Sequence, residues 1–341
     1  MKSRQITDRL STEAARLFGA VGTPVYIAGG HEWSDGTVYQ ATHPLGALML
    51  KLIPDASQEN ILGLIERLEF FDYLGAHGIQ VARPSHSVNG SVIETLGDHE
   101  EPCIVRAWHK LPGEHIADLH PKNLSEFYQA WGAMIGRIHR LAQELHQWLG
   151  SACTDEFGVS LLSWRREWDL FYHWLQETAV KQAWEGIKDE MERLPVSRAS
   201  FGFIHNDPHP GNILVNESGL ALLDPEVANY HWFMTDLGIC LNSEHSRIGH
   251  HSKHKEALAD LPDLFLRPFM QGYHSQNRLP ADEYHRIRLF LRYRRFLMYA
   301  VFYEQIKQHD PDYLKGFTRE LIDGKNPAAD LMETEFIRLS R

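Results

Sequence analysis

One stretch constrains this chain more than any other: residues 201–224, FGFIHNDPHPGNILVNESGLALLD. It reads as apolar strand, polar loop, strand, tight turn, strand, and then an acid. Phe201, Phe203 and Ile204 lead into His205, Asn206 and Asp207. Ile213, Leu214 and Val215 leave Asn212, and residues 220–223 return after the turn cluster Asn216, Glu217, Ser218 and Gly219. A hairpin that short brings its ends together, so the spacing predicts Asn212 beside Asp224, with Asp207 earlier on the same loop. Pro208 and Pro210 stiffen that loop by locking φ, and Gly211 permits close backbone approach.

Two acids and an amide offer oxygen ligands only. Such a set suits Mg²⁺, which takes one or two carboxylates and completes its shell with water and phosphate. The spacing H-x-D-x-x-x-x-N with a later Asp is the arrangement of protein kinases. There the first Asp is the catalytic base, and the Asn and second Asp hold metal. In this chain those positions are His205, Asp207, Asn212 and Asp224. A polar loop capping a hairpin, with Asp207 in an Asx-turn, is the plainer reading. Four residue types at the required offsets, framed by the required strands, favour the site.

The run His-Asn-Asp-Pro-His-Pro-Gly-Asn, with Leu-Leu-Asp downstream, resembles the aminoglycoside phosphotransferase/choline kinase-like family. His209, two residues after Asp207, is typical of that family. Residues 230–238, YHWFMTDLG, look most like its branch of bacterial stress response kinases and type II homoserine kinases. The resemblance implies a two-lobed protein-kinase-like α+β fold with a small β-rich N-lobe and a larger helical C-lobe. It places the boundary so that residues 1–109 bind nucleotide and 110–341 carry the catalytic and acceptor sites. Two positions depart from the pattern. Asn206 stands where the family usually has Gly, and Pro225-Glu226 replaces an aromatic-acid pair, leaving Glu226 as a candidate further metal contact.

Upstream, a short helix over 11–20 opened by Ser11 or Thr12 precedes strands at 24–28, 37–41 and 47–53. Gly29 and Gly30 begin the connection between the first two strands, a candidate hairpin for covering ATP phosphates with backbone N–H groups. Lys51 interrupts the most apolar of these strands, where a charge needs a partner. A kinase carries its phosphate-binding Lys on the third strand. The expected partner is Glu66 or Glu69 on a helix over 57–76, the family pattern favouring Glu66. Strands at 91–95 and 102–108 follow. The second is expected to run into the hinge, with Ala107 and Trp108 at the nucleotide edge.

From residue 123 the pattern turns helical. Phe127, Trp131, Met134, Ile135, Ile138 and Leu141 fall at helical spacing. Residues 132–139, GAMIGRIH, resemble a family segment that forms a core helix under the catalytic loop, which implies that His139 is a satisfied core histidine. Residues 161–193 read as amphipathic helices with packed tryptophans. Thr235-Asp236 carries a helix N-cap signal, and the family resemblance makes Asp236 a brace for the catalytic loop. His245, His250, His251 and His254 fall in what reads as a polar loop, with no spacing for a tetrahedral metal site. Long helices are expected over 258–274 and 281–309.

A chain of 341 residues fits about two domains. Its net charge of −11 argues against nucleic acid or anionic membrane as the main partner. The three cysteines are isolated, and the N-terminus has no apolar run of the signal-peptide kind, so a cytoplasmic enzyme is expected. The expected activity is transfer of the γ-phosphoryl group of ATP, with Mg²⁺, to a hydroxyl of a small-molecule acceptor. Asp207 is the base, Asn212 and Asp224 hold the metal, and Lys51 neutralises phosphate charge. The competing readings are a Ser/Thr protein kinase of the stress-response type and a pseudokinase that binds without turnover.

Overall fold

In the computed structural model, which describes residues 2–30, 36–97, 101–115, 124–145, 162–251 and 256–340, the apolar run around Lys51 is the third strand of an antiparallel sheet. The chain divides into two compact units. The first comprises Met1–Gly113, Cys153–Leu161 and Ala221–Glu226; the second holds Glu114–Ala152, Leu162–Leu220 and Val227–Arg341.

The first unit contains α1 (Lys2–Leu17), β1 (Val21–Gly29), β2 (Thr37–His43), β3 (Gly46–Ile53), α2 (Gln58–Ala76), β4 (Gln80–Val81), β5 (Ile93–Leu96) and β6 (Cys103–His109). Its sheet has the order β1-β2-β3-β6-β5. Side chains alternate across a strand, and β3 shows why it is apolar throughout. Leu48, Leu50 and Leu52 pack on Leu10, Ala14 and Ala15 of α1 and on Phe18, just beyond it. Ile53, from the opposite parity, packs on Leu64 and Leu68 of α2. Lys51 shares the parity of Ile53. The helix expected from residue 11 starts instead at Lys2. Ser11 is not a cap: its hydroxyl donates to the Asp8 carbonyl at 3.0 Å, within the helix, while buried Thr7 and Leu10 extend the inner face upstream.

The second unit opens with β7 (Glu114–His115), α3 (Leu124–Leu145), α4 (Trp164–Trp174), α5 (Thr178–Glu192) and β8 (Phe201–Ile204). A 3-10 turn (Pro210–Asn212) leads into β9 (Ile213–Asn216), β10 (Gly219–Leu222), β11 (Asn229–Trp232) and α6 (Phe233–His251). The remainder is helical: α7 (Glu256–Ala259), a π turn (Pro262–Leu266), α8 (Arg267–Gln276), α9 (Ile287–His309), α10 (Pro311–Ile322) and α11 (Pro327–Leu339). At Ala221 the chain returns to the first unit, where Ala221 and Leu222 pair in parallel with Gln80 and Val81 of β4. Within the second unit, β8 pairs antiparallel with β11, so Ile204 lies opposite Asn229.

Helices α3 and α8 cross closely because glycines meet backbone there. A Cβ on Gly132 would sit 1.8 Å from the Phe269 carbonyl oxygen, and one on Gly272 1.9 Å from that of Gln129. The polar segment read as a loop near His245 is instead the second half of α6, and His254 lies outside the described residues. The helix expected over 258–274 is divided into α7, the π turn and α8, with Pro262 and Pro268 near the joints. Among the described residues no helix is long and apolar enough to cross a membrane.

Candidate active site

The loop from β8 to β9 is held from below by Asp236. Helix α6 begins at Phe233, whose N–H donates to the Ser200 carbonyl at 2.9 Å, so Asp236 lies inside the first turn and is not an N-cap. Its buried carboxylate accepts from the backbone N–H groups of Asn206 (2.8 Å) and His205 (3.3 Å). It also contacts Nε2 of His139 at 3.2 Å, and the other ring nitrogen of His139 meets the Tyr273 hydroxyl at 2.9 Å. His139 is thus the satisfied core histidine that the family resemblance implied.

Asn206 has φ +66°, the left-handed region where glycine is at ease and Asn is among the best tolerated alternatives. The departure from glycine therefore preserves the turn. Its amide nitrogen donates to the Val227 carbonyl at 3.1 Å and to the Glu167 carboxylate. The next residue, Asp207, is aimed by its own N–H, which donates to Nδ1 of His205 at 3.2 Å.

Asp207 is enclosed by donors. Nη2 of Arg294 donates to Oδ1 at 2.7 Å, and Nε2 of His209 lies 3.4 Å from Oδ2. Nδ1 of His209 accepts the Gly211 N–H at 3.0 Å, which leaves Nε2 to carry the proton toward Asp207. Asn212 sends its amide nitrogen to the Asp207 carbonyl at 3.0 Å. Burial raises the Asp207 pKa, but Arg294, His209 and His205 outweigh it and hold the carboxyl well below the usual range. The group is a fixed anion.

Arg294 was not among the residues expected from sequence. A signal existed. It falls three, four and seven residues before Leu297, Met298 and Val301, on the apolar face of α9, where a charge needs a partner. Glu167 was missed for the same reason, among the tryptophans of α4. It accepts from the Tyr293 hydroxyl at 2.6 Å, and withdrawal from water raises its pKa. Asp207, Arg294 and Glu167 line a cavity of about 550 Å³ walled by α4, α6 and α9.

The first unit carries the other expected residues. Lys51, 6% exposed, lies directly across the strand pair from Arg106. Glu226 bridges them. Its Oε1 accepts from Nε of Arg106 at 2.7 Å and lies 3.2 Å from Nζ of Lys51. Burial raises the Glu226 pKa, while Arg106 and then Lys51 bring it down to about 2. Glu226 is thus held in an ion pair with both cations through Oε1. Oδ1 of Asp224 stands 3.7 Å from Lys51, and φ of Asp224 is +60°. Of the two candidate partners on α2, Glu66 is buried and Glu69 exposed.

Gly29 and Gly30 close the β1–β2 hairpin, where the Gly30 N–H donates to the Gly36 carbonyl at 2.9 Å; residues 31–35 lie outside the described set. Ala107 has its side chain in the core and its carbonyl occupied by the Ser85 N–H at 2.8 Å. The ring of Trp108 lies 4.2 Å from the Arg106 guanidinium carbon.

The donor chemistry fits Mg²⁺. Asn212 directs its nitrogen inward, which leaves its amide oxygen for a cation, and the Asp224 side chain is 47% exposed. Among the described residues no group of three or more His, Cys, Asp or Glu side chains could hold a metal alone.

The model of the phosphotransferase enzyme family (APH) matches residues 27–290 of this chain. Amicoumacin kinase of Bacillus subtilis (strain 168) is 26% identical over 275 residues, covering 76% of this chain and 77% of that protein. Among solved structures, an amicoumacin kinase in complex with AMP-PNP, Ca²⁺ and Ami superposes with a TM-score of 0.80. It is 23% identical, over 94% of this chain and 95% of that one. A microcompartment-associated aminopropanol kinase has a TM-score of 0.67 at 16% identity, covering 97% and 99%. A spectinomycin phosphotransferase has a TM-score of 0.54 at 15% identity, covering 100% and 98%. These likenesses give the kinase-like fold.

Proposed function

The chain belongs to the phosphotransferase enzyme family, and from that premise we propose that it moves the γ-phosphoryl group of ATP to a hydroxyl of a small molecule. The observation that carries the reading is Asp207, a fixed anion on a braced loop, facing a cavity of ligand size. Asp207 orients the acceptor hydroxyl and receives its proton. Its Oδ1 is held by Arg294 at 2.7 Å, so the hydroxyl approaches Oδ2, whose His209 and Asn212 contacts are the longer ones at 3.4 Å. Asn212 and Asp224 would hold Mg²⁺, which would supply charge neutralisation on the phosphates. Lys51 adds its own cation to the α/β-phosphates, and the backbone at Gly29 and Gly30 closes over them. Ala107 and Trp108 border the base, and Glu66 steadies the lysine side of the site. Positioning and electrostatics supply most of the rate in such chemistry.

Replacement of Asp207 by Asn tests this. It keeps the shape and the Asn212 contact but removes the proton acceptor. Turnover, read as ADP release, should fall on the order of 10²–10⁴-fold while MgATP still binds by calorimetry. Near-normal turnover in the variant would end the assignment of Asp207 as the base, whereas MgATP binding without turnover in the natural chain would favour the pseudokinase reading.

A further inference from the structure

We propose that Glu167 is a positioning residue for Asp207, acting through the side chain of Asn206. This rests on the phosphotransferase reading above, which makes Asp207 the base, and goes beyond it by naming what aims that base.

Asn206 sets the direction of Asp207, because the chain turns at its φ of +66°. Asn is tolerated in the left-handed region because its short amide can bond nearby groups. The same amide can also bond the backbone in several other turns, so by itself it does not fix this one. Here the amide is withdrawn from that choice. Nδ2 donates outside the loop, to the Val227 carbonyl at 3.1 Å and to the Glu167 carboxylate. The backbone N–H goes to Asp236 at 2.8 Å, and Oδ1 is buried with no partner among the described residues. What fixes the side chain is therefore Nδ2, and its bond to a carboxylate is the stronger of the two. A glycine would need no such anchor.

Glu167 is itself firmly placed. It lies in the first turn of α4, where the Ser163 hydroxyl caps the helix by accepting the Arg166 N–H at 3.4 Å. Trp164 and Trp168 on either side are buried. Trp168 and Trp184 of α5 each donate an indole N–H to the other's carbonyl, at 3.1 and 3.2 Å. Oε1 of Glu167 accepts from the Tyr293 hydroxyl at 2.6 Å. Asn229, opposite Ile204 at the end of β8, donates to the same carboxylate. Tyr293 directly precedes Arg294, whose Nη2 donates to Oδ1 of Asp207 at 2.7 Å. The contacts close a ring that runs from Asp207 to Arg294, from Tyr293 to Glu167, from Glu167 to Asn206, and back along the chain to Asp207. Removing Glu167 opens the ring at Asn206 and frees Asp207 to swing about the turn.

Amide hydrogen exchange, read by NMR, and ADP release from MgATP with water as the acceptor test this together. Glu167→Ala should speed exchange at the Asn206 and Asp207 N–H groups by about 10-fold or more, while Ile135, buried in α3, stays within about 2-fold. Its kcat should fall by about 10-fold or more with KM for MgATP unchanged. Glu167→Gln keeps one oxygen to accept from Asn206 and should restore most of both. In an Asn206→Gly background, Glu167→Ala should change neither by more than about 2-fold, because the amide it holds is gone. Equal acceleration at Asp207 and Ile135, an unchanged kcat, or the same losses in the Asn206→Gly background would overturn the inference and leave the kinase reading standing. ADP release unaffected by Asp207→Asn would overturn the reading of Asp207 as base, and this inference with it.

Discussion

At the residue scale the charged pair on the first unit's sheet carries the most information. Lys51 and Arg106 face one another across β3 and β6, and like charges directly opposite are destabilising unless bridged. Glu226 is the bridge, and it comes from 120 residues beyond Arg106. Removing its charge leaves two buried cations facing each other. Glu226→Gln should therefore cost about 3–5 kcal/mol, the range for a buried ion pair that loses one partner. Arg106→Met in the same chain should recover part of that. The measurement is urea unfolding of both single variants and the double. Costs that simply add would show that the three groups do not act as one. Lys51 was legible because a lysine in an apolar strand demands an explanation. Its bridge was not, since nothing local in Pro225-Glu226 says which strand that carboxylate meets. Arg294 escaped for a related reason: it is one of four arginines between residues 288 and 295, and only its helical face separates it from the rest.

At the element scale the strands flanking the β8–β9 loop were legible, because β8, β9 and β10 are apolar runs punctuated by turn residues. Strands β4, β7 and β11 were not, being two to four residues long, too short for any period to show. The partner strand supplies what their sequences do not. The late half of α6 was misread because its polar composition suits a loop, whereas the apolar face that holds it as a helix is set earlier, at Leu237 and Leu241, both buried. That helix also carries Asp236, whose worth depends on its place. As an N-cap it would contribute about 1 kcal/mol. As a buried carboxylate receiving two backbone N–H groups and facing His139, its loss should cost about 3 kcal/mol or more. Asp236→Ala is thus expected to lower the melting temperature strongly. Asp224→Ala, which removes an exposed carboxylate beside Lys51, should leave the melt nearly unchanged but abolish stabilisation by MgATP. Thermal melts with and without MgATP separate the two. An exchange of phenotypes would reverse the split between brace and metal ligand.

At the scale of the whole molecule, stability against acid and the choice of acceptor are decided. His231 is fully buried with Nδ1 accepting the Trp232 N–H at 2.9 Å, and burial lowers its pKa from 6.5 to about 3. Between those values the unfolded chain binds a proton that the folded chain refuses, so stability falls as pH drops through that window. His231→Asn keeps an acceptor near the Trp232 N–H and cannot titrate; its unfolding free energy should be flatter between pH 6.5 and 3 than that of the natural chain. Equal slopes would mean that His231 finds a proton in the folded state. The acceptor follows from what occupies the chain after Asp224. A protein kinase places a mobile activation loop between its metal Asp and an Ala-Pro-Glu sequence, and uses it as a platform for peptide. Here residues 225–235 are all that precede Asp236, and within them β11 is paired to β8 and α6 has already begun. No length remains for such a platform. The second unit offers instead a cavity of about 550 Å³. With labelled ATP and Mg²⁺, a pool of small metabolites should therefore take up label and a pool of extract proteins should not. Label confined to proteins would show that peptide is accepted without the usual loop, and would transfer the assignment to the protein kinases.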